Sequence, residues 1–160
     1  MIIDIETAGL ESLKHCITCI SINKQNVLTS FINEDEKIIL EQFWQSIEDG
    51  ECFIGFNINE FDIPFLIRRS LIHKIKCKKI GRVIDVRLLV NGFFYSYKKE
   101  EKGRLDDWCK ILGLANKTED GEKMIEYYYL KDFEKIKAHC EYDVKIVKAL
   151  YERCEECGLI

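Results

Sequence analysis

The sequence MIIDIET (residues 1–7) sets two acids, Asp4 and Glu6, among isoleucines. The apolar, β-branched run predicts a buried strand, in which residues two apart project from the same face of a sheet. The two carboxylates would then stand side by side and repel, unless an oxygen-binding cation such as Mg²⁺ or Mn²⁺ lies beside them. The alternative is a surface strand whose acids simply face water. Because the isoleucines favour a central strand, we expect the acids at its end, over a cleft.

The remaining elements follow in an order that is typical of a mixed α/β domain. Sequence periodicity predicts strands at residues 16–24, 26–33, 51–56 and 82–86, helices at 34–47, 87–93, 104–113 and 130–156, and polar loops at 95–104 and 115–123. Another helix has Pro64 in its first turn and continues to about residue 74. Asp132 is placed to cap the last helix. This order predicts a single domain over residues 1–160, with helices on the faces of one sheet.

The overall composition excludes several classes of protein. The chain has 160 residues, of which 47% are hydrophobic and 32% charged, so disorder is not expected. No apolar run approaches the ~20 residues that cross a bilayer, and the first residues lack the basic start of a signal peptide. We therefore expect a cytoplasmic protein without a membrane partner.

The charge distribution leaves two interpretations open. The net charge of −4 discourages a nucleic-acid partner, although two bound divalent cations would bring it to about zero. The stretch RRSLIHKIKCKKIGR (residues 68–82) contains arginines and lysines but no acid. It is either a solvated helix face with its following loop or a surface that contacts phosphates.

Two CxxC pairs invite comparison with zinc sites. Cys16 and Cys19 form the first pair, and Cys154 and Cys157 form the second, far away in sequence. The first pair falls in a predicted strand, where residues three apart point to opposite faces. We therefore favour reduced thiols over a structural zinc site.

Two further segments carry acids that suit either a site or an ordinary helix. Asp62 lies in GFNINEFDIPF (residues 55–65), where a strand ends and a helix begins, so it could simply complement the helix dipole. In AHCEYDVKIV (residues 138–147), His139 and Asp143 are four positions apart and share one helix face. A histidine titrates near pH 6.5 and can accept a proton at neutral pH. A solvent-facing or core position is the alternative for His139.

Three of these segments resemble the exonuclease motifs of the DEDD superfamily of 3′–5′ exonucleases. They are DIETAGL, GFNINEFDIPF and HCEYDVKIVKALY, and they occur in the family's order. The second, with Asn57, Phe61, Asp62 and Pro64, is most similar to the proofreading domains of family B DNA polymerases and their stand-alone relatives. VIDVRLL and RLDDWCKILGL also look like connecting elements of that group. The resemblance covers nearly the whole chain and implies a ribonuclease H-like mixed sheet, with three antiparallel strands followed by parallel ones.

The resemblance also implies roles for individual residues. Asp4, Glu6, Asp62 and Asp143 match the four carboxylates that bind two divalent cations, Mg²⁺ or Mn²⁺. The substrate-binding positions are Thr7, Gly9 and Leu10 around the terminal nucleotide, and Asn57 and Phe61 near the scissile end of the strand. Leu10 would wedge against the terminal base, although a core position is the alternative for Leu10 and for Phe61.

His139 departs from both patterns known in the family. The residue that orients or deprotonates the attacking water is either a tyrosine four positions before the last aspartate or a histidine five before it. Here the fourth position before Asp143 is His139 and the fifth is Ala138. We nevertheless expect His139 to be catalytic, because the one-turn spacing aims it toward the cleft of Asp143.

The function implied by the resemblance is a metal-dependent 3′–5′ exonuclease that releases mononucleotides from single-stranded ends. The polymerase-like second motif favours DNA as the substrate. One alternative is an exoribonuclease or oligoribonuclease, and another is a catalytically idle nucleic-acid-binding module that associates with a polymerase. A role in proofreading or DNA repair would require a partner polymerase or repair complex.

Overall fold

The computed structural model describes residues 1–91, 103–113 and 121–160. Its centre is a five-stranded sheet with the strand order β3-β2-β1-β4-β5. The strands are β1 (Ile2–Thr7), β2 (Ile17–Lys24), β3 (Val27–Ile32), β4 (Glu51–Gly55) and β5 (Ile80–Asp85). β1 pairs antiparallel with β2, and β2 with β3, whereas β1 pairs parallel with β4, and β4 with β5. The predicted mixed sheet, antiparallel first and parallel afterwards, is confirmed.

Helices surround this sheet. They are α1 (Glu36–Ser46), α2 (Asp62–Ile72), α3 (Val86–Asn91), α4 (Leu105–Ile111), α5 (Glu122–Tyr129) and α6 (Phe133–Glu156). Asp132 occupies the N-cap position of α6, as predicted, but its side chain makes no cap hydrogen bond and instead pairs with Lys135 Nζ at 2.9 Å. Within the described segments, no helix combines the length and the apolar character that crossing a membrane requires.

Only the last residues of the two predicted loops lie within the described segments. Most of the loop predicted at residues 95–104 lies outside the described residues. The loop predicted at residues 115–123 is wrong at its end, because α5 begins at Glu122. α5 was not predicted because it is a short helix, and it depends on packing Met124 and Tyr127 against Ile136 and Cys140 of α6. Such tertiary contacts do not show in local periodicity.

The turn between β2 and β3 has the geometry that a tight hairpin requires. Gln25 and Asn26, its two central residues, both have left-handed φ values of 52° and 65°. Lys24 and Val27 pair across the turn, so the loop has two residues. A two-residue turn with both central residues at positive φ matches the twist of the flanking strands. This turn fixes the register of the antiparallel part of the sheet.

The alternation of side chains along β1 decides which residues face which helices. Ile3 and Ile5 belong to the core cluster that includes Phe43 of α1 and Leu66 of α2. Ile2 belongs to the opposite cluster, with residues of α6 such as Val144. Since residues two apart share a face, Asp4 and Glu6 lie on the side of Ile2 and α6.

Hydrophobic packing brings the polar residues of α6 to this face of the sheet. The buried residues of α6 recur every three or four positions and include Ile136, Cys140, Val144, Val147 and Leu150. His139 and Asp143 are buried within the same stripe. The apolar members provide the driving force for docking, and the two polar members are carried with them.

Candidate metal centre

The acids and the histidine predicted from the sequence lie on β1, at the start of α2 and on α6, and these three elements meet at one place. The relative exposures are 9% for Glu6 on β1, 4% for Asp62 at the start of α2, and 9% and 7% for His139 and Asp143 on α6. Asp4, on β1, is partly buried. Buried carboxylates are costly without compensation by hydrogen bonds or cations. Their concentration at one place therefore requires a physical explanation.

Glu6, His139 and Asp143 form the tightest part of this group. The distance from His139 Nε2 to Glu6 Oε1 is 3.6 Å, and that from His139 Nε2 to Asp143 Oδ2 is 3.9 Å. One ligand atom from each of the three residues lies within 4.8 Å of the other two. The one-turn spacing of His139 and Asp143 on α6 produces this proximity, as the sequence predicted.

Asp62 lies at the edge of the same group, whose negative charge affects its pKa. The pKa of Asp62 is raised to about 7, chiefly by burial and also by the negative charges of Asp85 and Asp143. Backbone hydrogen bonds, one of them from Ile5 of β1, oppose this shift. Asp62 is therefore in contact with the strand that carries Asp4 and Glu6, and close enough to Asp143 to be repelled by it.

The thiol of Cys140 makes hydrogen bonds to Asp4. It donates to the backbone oxygen of Asp4 at 3.3 Å and to Asp4 Oδ2 at 3.5 Å. Burial, then Cys19, and then the charges of Asp4 and Glu6 raise the pKa of Cys140 well above its usual value. Cys140 therefore remains a neutral thiol that can donate to a carboxylate. Sequence reasoning missed it; its only signal was its position on the buried stripe of α6.

Asp85 is a second residue that sequence reasoning missed. It ends β5 and accepts hydrogen bonds from the backbone N–H groups of Asn57 at 2.9 Å, Asn59 at 3.2 Å and Arg87 at 3.1 Å. Asn57 has a left-handed φ of 62°, and its Oδ1 accepts from Arg87 Nη1 at 2.5 Å. Asp85 therefore shapes the turn between β4 and α2 that presents Asp62. An acid at the carboxyl end of a predicted parallel strand was the available signal.

The segment after β1 supplies the remaining substrate candidates. Thr7 Oγ1 donates to the backbone oxygen of Gly9 at 2.8 Å. A Cβ at Gly9 would lie 2.7 Å from the ring of His15, so only glycine permits this close approach. Leu10 is 80% exposed, so the core alternative for this residue is wrong.

Phe61 occupies an intermediate position. It packs at the margin of the core, and its ring centroid is 5.4 Å from that of Phe65. Because the residue is only partly buried, some of its surface remains accessible next to Asp62 in the chain. This placement is compatible with both interpretations of Phe61, as a packing residue and as a substrate contact.

The cysteine pairs play no visible part in the centre. All eight cysteines are free thiols, and Cys16 Sγ donates to the hydroxyl of Tyr128 at 3.3 Å. Among the residues that the structure describes, the group suited to a metal contains no cysteine.

The donor set of the centre fits a divalent cation. Carboxylate oxygens with one imidazole nitrogen suit Mg²⁺, Mn²⁺ and related ions. A cation would compensate the buried carboxylates and their mutual repulsion, which adds to the effect of burial in raising the pKa of Asp62. The residues present therefore fit the kind of ion that the sequence predicted.

Comparison with known families identifies the class of protein to which this centre belongs. The sequence profile of the RNase H superfamily matches residues 1–155. The chain belongs to the RNase H superfamily. Membership of this superfamily supports a nuclease that acts on nucleic acid, and RNase H-like nucleases generally use divalent metals.

Two relatives match this chain over very different shares of their own length. An uncharacterized protein of Methanocaldococcus jannaschii is 37% identical over 99% of this chain and 97% of its own length. Terpene synthase 6 of Dictyostelium purpureum is 28% identical over 71% of this chain, but the match covers only 34% of that protein. Because so little of that protein is matched, its named activity is not carried over to this RNase H superfamily member.

A solved structure confirms the fold. The family B DNA polymerase from the hyperthermophilic archaeon Pyrobaculum calidifontis superposes with a TM-score of 0.76 over 96% of this chain, at 16% identity. The match covers 24% of that polymerase, so this chain spans about a quarter of its length. The RNase H-like fold that the three motifs implied is therefore confirmed, and the roles of individual site residues stay predictions.

Proposed function

We propose that the protein is a metal-dependent 3′–5′ exonuclease that releases mononucleotides from single-stranded DNA ends. The observation that supports this proposal is the convergence of Glu6, His139 and Asp143, with Asp4 and Asp62 beside them, in a chain of the RNase H superfamily. An acid group of this kind on a nuclease fold is suited to phosphodiester hydrolysis.

The four carboxylates are the proposed ligands of two divalent cations, Mg²⁺ or Mn²⁺. Cations bound there would activate water and stabilise the leaving 3′ oxygen. Asp4 and Glu6 are fixed by their strand, and Asp62 and Asp143 by two helices, so the ligands need little reorganisation. Cys140 restrains the carboxylate of Asp4, and Asp85 fixes the turn that leads to Asp62.

The substrate end is proposed to lie along the segment after β1. The exposed side chain of Leu10 can pack against the last base, and Thr7 and Gly9 form the bend that presents it. Asn57 and Phe61 lie in the turn that leads to Asp62, where they can contact the scissile end. An unstacked 3′ end suits such a site, because a base within a duplex would first have to be unpaired.

His139 is proposed to act directly at the reaction centre. Its Nε2 lies within 4 Å of both Glu6 and Asp143, and the residue is only 9% exposed, which excludes the solvent-facing alternative. The imidazole can take a proton from the attacking water or bind a cation, and these two roles have different consequences for the choice of metal.

A cleavage assay on defined ends tests the proposal. Linear single-stranded DNA labelled at its 5′ end would be incubated with Mg²⁺ or Mn²⁺, with and without EDTA. Matched RNA, circular single-stranded DNA and a strand blocked at its 3′ end would be run beside it. We expect a metal-dependent ladder that shortens from the 3′ end of linear DNA, while circular and blocked strands survive.

Two variants identify the centre in the same assay. Glu6→Gln removes a proposed ligand, and we expect it to lower the rate by at least about a hundredfold, since a cation contributes several kcal/mol of charge stabilisation. Glu126→Gln changes an exposed glutamate of α5 and should leave the rate unaltered. Cleavage of circular DNA would indicate an endonuclease, and preference for RNA would favour the exoribonuclease. No cleavage by folded protein would favour the binding module.

A further inference from the structure

We propose that His139 is a ligand of the cation that Glu6 and Asp143 hold, and that this centre consequently prefers Mn²⁺ and similar transition-metal ions to Mg²⁺. The inference rests on the proposed metal centre and deepens it, because it assigns the histidine and the class of ion. It replaces the role of proton acceptor that the sequence predicted for His139.

The two distances from His139 Nε2 to the carboxylates are those of ligands that share one ion. His139 Nε2 is 3.6 Å from Glu6 Oε1 and 3.9 Å from Asp143 Oδ2, and one possible ligand atom from each of the three residues lies within 4.8 Å of the other two. Ligand atoms that are each ~2.1–2.2 Å from a common ion are roughly 3–4 Å from one another. A histidine that deprotonates the attacking water lies one hydrogen bond, ~2.6–3.2 Å, beyond that water instead. At 3.6 and 3.9 Å, the oxygens of Glu6 and Asp143 can share an ion with His139 Nε2 directly, with no water between them.

The spacing along α6 explains why the ring is there. His139 and Asp143 are one helical turn apart, so their side chains lie on the same face. Side chains at this spacing can bind one metal ion together, as two histidines of a zinc-binding helix do. A histidine at position 138 would point ~100° further round the helix, away from Asp143. The unusual spacing therefore has a geometric consequence, which is to place a nitrogen among the carboxylate oxygens.

The chemistry of the donor set then decides the ion. Mg²⁺ prefers oxygen ligands and retains several of its waters, whereas imidazole suits transition-metal ions. Replacing one oxygen ligand by nitrogen lowers the selectivity for Mg²⁺ and increases the relative affinity for Mn²⁺. The burial of His139 supports this role, because the ring has little freedom to turn away from the carboxylates.

The test is Mn²⁺ binding to the metal-free full chain, without nucleic acid. Pulsed electron paramagnetic resonance detects magnetic coupling between bound Mn²⁺ and a directly coordinating ¹⁴N nucleus. We expect this coupling in the wild type, its loss in His139→Gln, and its retention in His73→Gln, a control at the C-cap of α2. Glutamine at position 73 keeps a donor for Glu36, which contacts His73 Nε2 at 2.6 Å.

Binding constants for the same proteins complete the test. His139→Gln should weaken Mn²⁺ binding by at least about tenfold and change Mg²⁺ binding, measured by competition, much less. Asp143→Asn should weaken the binding of both ions. Circular dichroism would confirm that each variant is folded.

Failure of the inference is distinguishable from failure of the proposed function. Bound Mn²⁺ without nitrogen coupling, with equal affinity in His139→Gln, would overturn the ligand assignment and return His139 to the role of proton acceptor. Nitrogen coupling in a protein that cleaves no strand would uphold the assignment and overturn the exonuclease. If folded wild type binds no Mn²⁺, the assignment is wrong.

Discussion

Among single residues, Cys140 has the clearest supporting role. Its thiol donates to both the backbone oxygen and the carboxylate of Asp4, so it restrains a proposed metal ligand without binding the metal itself. Supporting hydrogen bonds of this kind orient ligands, and their loss typically lowers metal affinity by about 10–100-fold.

Two substitutions separate this hydrogen bond from simple packing. Cys140→Ala removes the donor, and we expect Mn²⁺ affinity to fall by about tenfold. Cys140→Ser keeps a donor of similar size and should retain most of that affinity. The measurement is a Mn²⁺ titration of each folded variant. Equal affinities in Cys140→Ala and the wild type would show that Asp4 needs no such restraint.

Asp62 predicts how the stability of the metal-free protein depends on pH. Its pKa is about 7 in the folded chain, raised from 3.8, mainly by burial. A raised folded-state pKa means that the contribution of this group to stability is fully present below about pH 4 and is lost as the pH rises through about 7. The folded, metal-free protein should therefore lose stability over this interval, by an amount on the order of a few kcal/mol.

Urea unfolding in EDTA at about pH 5 and about pH 8 measures this effect. We expect a lower free energy of unfolding at the higher pH, and a larger stabilisation by Mn²⁺ there, because the cation competes with the proton. Asp62→Asn cannot ionise and should reduce the loss of stability between the two pH values. If the variant shows the same loss as the wild type, other groups cause it.

How far the site was predictable from sequence also differs between residues. Strand alternation placed Asp4 and Glu6 on one face, and helical spacing placed His139 near Asp143, because both are properties of a single element. Cys140 and Asp85 were not predicted, since their contacts join elements that are distant in sequence. Such contacts depend on how elements dock, which no local pattern specifies.

At the scale of secondary-structure elements, the carboxylate of Glu36 connects α1 to α2 and β2 through hydrogen bonds. This buried residue in the first turn of α1 accepts from Arg69 of α2 through Nε at 2.9 Å and Nη2 at 2.6 Å. It also accepts from the backbone N–H of Ile17 in β2 at 2.6 Å, and lies 2.6 Å from His73 Nε2. Removing one partner of a buried ion pair leaves the other uncompensated, which is strongly destabilising.

Glu36→Gln is therefore expected to lower the free energy of unfolding by about 3–5 kcal/mol. Glu41→Gln is the matched control on the same helix, because its exposed pair with Lys37 at 3.7 Å should contribute less than about 1 kcal/mol. Urea unfolding of both variants under identical conditions gives the comparison. Similar losses in the two would mean that the network around Glu36 adds no more than a surface pair.

The elements themselves were predictable to different degrees for a physical reason. The strands and the long helix α6 carry strong periodic patterns, so these predictions were confirmed. α5 is stable only where Met124 and Tyr127 reach α6, and its short sequence gives little local signal. Elements whose stability is mostly tertiary are the ones that sequence reasoning misses.

At the scale of the whole molecule, charge is distributed between two regions with different possible roles. The negative charge of the metal centre is concentrated between β1, α2 and α6, whereas the basic stretch at residues 68–82 begins in α2 and runs to β5. Arg69 is already paired with Glu36 in the fold, so it is a weak candidate for phosphate binding. Lys74, Lys76 and Lys78 lie outside that network and line an open cavity of about 440 Å³ with Trp44.

The separation of these two regions predicts which lengths of substrate could contact the basic stretch at residues 68–82. α2 starts at Asp62 and has 11 residues, so its far end, beyond which the lysines follow in the chain, lies ~15 Å along the helix axis from Asp62. A strand bound by its 3′ end could reach them only with nucleotides several positions from the scissile bond. Short oligonucleotides should therefore bind independently of these lysines, and long ones should not.

Replacing Lys76, Lys78 and Lys79 by glutamine tests whether this surface binds phosphates. We expect weaker binding of a long single strand and a shallower dependence of log K on log salt, by ~0.7 for each phosphate that the protein no longer neutralises. Binding of a dinucleotide should be unchanged. The control replaces three exposed lysines elsewhere, Lys110, Lys123 and Lys145. If both triple variants bind the long strand with the wild-type salt slope, residues 68–82 form only a solvated surface, and the long strand must follow another path across the molecule.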